Sequence, residues 1–200
     1  MRYSEQLRNE IDQALASAEP EWCASALRQI VDLFVSGASA YAPEHVSLYD
    51  VALNKLAERT DQNGLVDLSN KLAPIDNAPV GTVGYLARHE NSAVAAPILG
   101  RSAAISTADL VAIVKTAKHA NLMLIASRPA IETEVTDLLV ERGHVDVKIK
   151  AVSNAGAKFS EIGFVKLIND AKKNKTLADL IAARDDLPEE LRSFLALAQA

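Results

Sequence analysis

The sequence predicts an all-α protein: one domain of 200 residues in which short antiparallel helical hairpins stack as an α-solenoid behind an N-terminal helical bundle. Three observations carry this. Alanine and leucine number 34 and 24, against 8 glycines, 7 prolines and 9 aromatic residues. These two are the strongest helix formers, whereas strands draw on β-branched and aromatic residues. Apolar residues recur three and four apart, with hardly any sustained alternation. The second half also carries a weak internal repeat of helix and turn.

In chain order, Leu7, Ile11 and Leu15 form one stripe that stops before Pro20, and Pro20 suits the first turn of the next helix. Trp22, Ala26, Ile30, Leu33 and Phe34 are read as that helix's buried face as far as Gly37, with a small-residue loop over 36–42. Pro43 opens a third helix with Val46, Tyr49, Leu53 and Leu56 inward, and Gly64–Leu72 forms a fourth. This N-terminal set covers 1–75. Over 76–200 the helices shorten: Pro79–Ala87, Ser92–Leu99 closed by Gly100, then Leu110, Ile113, Val114 and Ala117 on one face behind a capping box at Ser106 and Asp109. Leu122–Ser127, Glu132–Arg142, Val147–Val152, Ser160–Ala171, Thr176–Ala183 and Pro188–Ala198 follow, with a second capping box at Thr176 and Asp179. Val145–Lys150 alternates like a strand, but nothing nearby offers it a partner, so it is assigned to helix.

The repeat is clearest where Ile125-Ala126-Ser127-Arg128 is echoed by Ile181-Ala182-Ala183-Arg184. Ile149-Lys150-Ala151, running into Ser153-Asn154, is a looser copy, and Leu86-Ala87-Arg88 a looser one still. A single hairpin of this size cannot bury both faces, so neighbours must stack, with alanine at the repeated position allowing close approach.

Several classes fall away. The longest charge-free runs, Leu33–Pro43 and Asn77–Ala87, are too short to cross a bilayer. The polar, acid-containing start is unlike a signal peptide, and the single cysteine, Cys23, gives neither a disulfide framework nor a thiolate zinc cluster. A cytoplasmic protein is expected. The formal charge of −5 is uneven, because residues 148–175 hold seven lysines against Glu161 and Asp170.

A series of segments in fixed order resembles a known family: Leu48–Glu58, Leu72–Pro79, Leu86–Glu90, Ala93–Leu99, Ile105–Leu110, Ile125–Pro129, Val135–Gly143 and Asn154–Ser160. Together they are similar to the bacterial domain-of-unknown-function family 2336, over roughly Ala26 to Leu195. The resemblance implies a helical, HEAT-like fold. It transfers no reaction and no catalytic residue.

The search for chemistry returns mostly exclusions. No phosphate-binding glycine loop, dinucleotide fingerprint or nucleophile elbow is present, and no histidine pair has metal-ligand spacing. A folded chain could still gather His119, His144 and Asp146, although lone histidines need partners to be ligands, so neither metal nor cofactor is assigned. Cys23 is read as buried and inert. Asp185, Asp186, Glu189 and Glu190 suit the start of a helix better than a cation site. Arg88, Arg128 and Arg184 would recur at the same end of successive helices. Such a row suits a carboxylate or phosphate, or it bridges one hairpin to the next, and packing is the favoured role. With Lys148, Lys150 and Lys158 these arginines are the candidate binding residues. The leading expectation is a non-catalytic helical scaffold for an unidentified protein partner. The alternative is nucleic-acid binding along the lysine-rich face 148–175, against which stand an acidic chain and few aromatics.

Overall fold

The computed structural model describes residues 19–198, and the stripe Leu7–Leu15 lies outside them. All twelve elements longer than a single turn among these residues are α-helices; the only β-type pairing is an isolated parallel bridge between Ile131 and Ala157. The chain divides into two compact units, Met1–Ser106 and Thr107–Ala200.

In the first unit, α1 (Pro20–Gly37) leads through a 3-10 turn, Ala38–Ala40, into α2 (Pro43–Ala57), α3 (Gln62–Leu72), α4 (Val80–Ala87) and α5 (Ser92–Arg101). Alternate helices are neighbours: α3 packs against α1 and α5, and α4 against α2. Pro20 and Pro43 each stand at the first helical position, where a missing N–H costs nothing. The buried face of α1 corrects the expected one. It runs through Cys23, Leu27, Val31 and Phe34, while Trp22 and Leu33 are exposed. The Cys23 set keeps a four-four-three step, whereas Trp22 shares its side with Ser25 and Gln29. Gly100 does not stop α5, which continues to Arg101. Asp50 of α2 supplies the missing cap of α4, accepting from the backbone N–H of Gly81 (2.9 Å) and Thr82 (2.7 Å).

In the second unit the order is α6 (Thr107–Val114), α7 (His119–Ala126), α8 (Thr133–Arg142), α9 (Val145–Val152), α10 (Glu161–Ala171), α11 (Lys175–Ala182) and α12 (Glu189–Ala198). Again the elements alternate, with α6, α8, α10 and α12 in one layer and α7, α9 and α11 in the other. Val152, Phe164, Leu167, Leu177, Ile181 and Leu195 fill the space between the layers. Val145–Lys150 is helical, as expected. The tighter pairs across the layers are α8 with α9 and α10 with α11, joined by only two and three residues. A link that short forces adjacency; the turns at Arg128, Asn154 and Arg184 are longer and join one pair to the next. Asn174, not Thr176, caps α11, accepting from Leu177 N–H at 2.9 Å. Asparagine is the stronger cap and stands two residues earlier.

Candidate functional site

Each helix of the second layer ends in the same backbone turn. The amide of Arg128 donates to Ile125, that of Asn154 to Ala151 and that of Arg184 to Ile181. In the first unit Arg59 donates to Leu56 and His89 to Leu86 in the same way. These bonds set the true register of the repeat. Arg88 falls one place early, level with Ser127, and the copy that matches is Leu56-Ala57-Glu58-Arg59. Ala151 likewise sits level with Ile125, so Val152 holds the alanine position. Ala57, Ala87 and Ala126 are buried there, but Ala182 is exposed, because no further helix among the described residues covers it in that layer.

The turns of the second unit are tied together through two recurring carbonyls. Asn154 Nδ2 donates to the carbonyls of Ala126 (3.1 Å) and Arg128 (2.7 Å). One turn later, Arg184 Nη1 donates to the equivalent carbonyls of Val152 and Asn154, both at 2.9 Å. Arg192 then donates to those of Ala182 (3.4 Å) and Arg184 (3.1 Å). Orphan helix-end acceptors are thereby satisfied turn after turn. Backbone also meets backbone: Ile131 N–H donates to Gly156 at 3.0 Å, and Lys158 N–H to Ile131 at 3.0 Å. Gly156 is required at this approach, since a Cβ there would lie 1.9 Å from the Pro129 carbonyl oxygen.

Arg184 has no donor left for a ligand. Beyond the two carbonyls, Nη2 reaches Ala157 at 2.7 Å, while Nε and Nη2 grip Asp186 at 2.7 and 2.8 Å, which occupies all five N–H groups. Its guanidinium also lies 4.8 Å from the centre of the Phe159 ring. Arg128 is buried, and that burial pulls its guanidinium below the usual arginine value. Arg88 lies in the other unit, donates to Gly84 of its own helix at 2.9 Å, and lines an open depression of about 470 Å³ with Gln62, Tyr85 and His89. The three arginines therefore share no single register of turns, and in the second unit that position reads Arg128, Asn154, Arg184.

Three of the seven lysines in 148–175 are neutralised within the chain. Lys148 pairs with Asp170 (2.6 Å), Lys158 with Glu132 (2.9 Å) and Lys166 with Glu141 (3.3 Å). Lys150, on α9, and Lys172, Lys173 and Lys175, around the link from α10 to α11, make no ion pair among the described residues. The expected gathering of histidines takes place: His119 Nε2 stands 2.9 Å from Asp146, and the His119 and His144 rings are 5.5 Å apart. Among the described residues no group of three or more His, Cys, Asp or Glu side chains could hold a metal ion. Cys23 is buried, as expected, although Trp22 beside it is exposed. Of the acids near the last helix, Asp186 serves Arg184, and Glu189 opens α12 and pairs with Arg192 at 3.2 Å. No described helix is long and apolar enough to cross a membrane.

What the sequence reading missed lies on the outer layer. Ile162 and Val165 of α10 are 69% and 52% exposed, and Phe194 of α12 is 61% exposed. A signal was available. The run Ile162-Gly163-Phe164-Val165-Lys166-Leu167-Ile168 is apolar on more of its circumference than one buried stripe needs.

No curated protein and no solved structure matches the chain. The pattern of a family described as an uncharacterised protein conserved in bacteria, DUF2336, matches residues 94–197; the expected segments 48–90 lie outside that match. With just over half of its length matched, from Val94 on α5 to α12, this protein belongs to the bacterial DUF2336 family.

Proposed function

We propose that the protein is a non-catalytic, HEAT-like helical scaffold of the bacterial cytoplasm that binds another protein. One observation carries the reading: Ile162, Val165 and Phe194 stand exposed on adjacent helices of one layer. Exposed apolar side chains gathered on one face mark interaction surfaces, whereas single ones need no explanation. The polar turn edge offers less, because Asn154, Arg184 and Arg192 hold the chain's own carbonyls. A net charge of −5 and the ion pairing of three of the seven lysines in 148–175 favour a protein partner over a nucleic acid.

The test compares bait proteins in native lysate. The wild-type chain should recover a reproducible partner that an Ile162→Glu, Val165→Glu, Phe194→Glu variant loses while keeping its helical circular dichroism. A partner retained equally by the variant, or none recovered by either, counts against the scaffold.

A further inference from the structure

The scaffold reading leaves the partner's chemistry open, and the side chains around the exposed residues narrow it. Lys166 is the sixth residue of α10 and reaches back to Glu141 of α8. The sixth position therefore leans toward the preceding helix of the layer. On α12 that position is Phe194, which places it on the side toward α10. Val165 precedes Lys166 by one residue, about 100° round the helix and away from α8. Val165 and Phe194 thus border the groove between α10 and α12, with Ile162 one turn N-terminal to Val165.

Charge at the N-terminal end of this groove has one sign. Glu161 and Glu190 stand at the first and second positions of α10 and α12, with Glu134 at the second position of α8 outside the groove, and all three are exposed. None of them makes an ion pair among the described residues. Of the cations on the same helices, Lys166 is engaged on Glu141, Arg142 on the Val114 carbonyl, and Arg192 on Glu189 and the Arg184 carbonyl, while Lys172 at the C-terminal end of α10 makes no ion pair among the described residues. An apolar strip between two helices with uncompensated carboxylates at its N-terminal end suits one occupant best. Resting on the scaffold reading, we infer that this groove receives an amphipathic helix of the partner protein, its apolar stripe flanked by lysine or arginine.

The probe is a synthetic amphipathic helix of about 18 residues, long enough for five turns, with a leucine stripe flanked by lysines. Its twin carries glutamate in place of every lysine. Fluorescence anisotropy against the full chain should give the lysine peptide about tenfold tighter binding than the twin, with a steep loss in salt. Phe194→Ser or Val165→Ser should weaken it about tenfold, as expected of a buried anchor. Glu161→Gln with Glu190→Gln should flatten the salt dependence. The inference is overturned if the twin binds equally well, or if Phe194→Ser leaves lysine-peptide binding unchanged. It is also overturned if sedimentation finds a Phe194-dependent dimer, which would make a second copy the occupant. A lysate partner that needs Phe194 but docks through an acidic or extended segment defeats this inference and spares the scaffold. Peptide binding as described, with no partner recoverable from lysate, defeats the scaffold and spares the groove.

Discussion

Replacing Arg184 by methionine would strip donors from the carbonyls of Val152, Asn154 and Ala157 and leave Asp186 without its bidentate partner. The expected loss is about 2–3 kcal/mol of unfolding free energy, read from urea denaturation, since several acceptors lose their bonds at once. Arg184→Lys should recover little of it, because an ammonium has three donors and no planar fork. Equal stability of the lysine variant and wild type would contradict this account. Asn154→Ala removes the same two-carbonyl contact one turn earlier and should cost about 1–2 kcal/mol, less because the amide carries no charge. Arginine and asparagine thus serve one geometric purpose. This is why the repeat looked irregular: a letter-by-letter comparison cannot see that a long cation and a short amide cap the same acceptors.

At the scale of the helices, the repeated alanine gives a paired prediction. Ala126 is fully buried at the end of α7, so Ala126→Leu should overpack it and cost about 1–3 kcal/mol. Ala182 holds the same position on α11 but faces solvent, and Ala182→Leu should fall within about 0.5 kcal/mol of wild type. Similar denaturation midpoints for the two variants would refute the register drawn above. Helix existence and order were legible from composition and period, and Val145–Lys150 was correctly assigned to helix because no neighbour could pair with it. The face of α1 was not, since a tryptophan's size suggested burial while the step from Cys23 to Phe34 decided it. Nor was the capping of α4, because Asp50 sits 31 residues upstream and only packing brings it to Gly81. The outer patch was hidden for a related reason. Ile162 and Val165 read as core residues until the buried side of α10 is known to be Phe164, Leu167 and Ile168.

For the whole chain, a net charge of −5 opposes phosphate binding, and pairing of Lys148, Lys158 and Lys166 leaves four of the seven lysines in 148–175 without an ion pair among the described residues. A gel shift with duplex DNA should show only weak retardation at low salt, abolished by about 0.2 M salt, where a genuine phosphate-binding surface retains specific complexes. A tight complex surviving that salt would restore the nucleic-acid reading. The succession of capped carbonyls has a directional consequence. In these three side-chain caps the donor lies later in the chain than the acceptors it satisfies: Asn154 serves Ala126, Arg184 serves Val152, and Arg192 serves Ala182. Release of α12 therefore bares the acceptors of the turn at Arg184, whereas loosening α7 removes no side-chain cap from the turns that follow. Fraying in the second unit consequently has a preferred origin, and amide exchange should advance backward from α12 toward α8, one turn at a time.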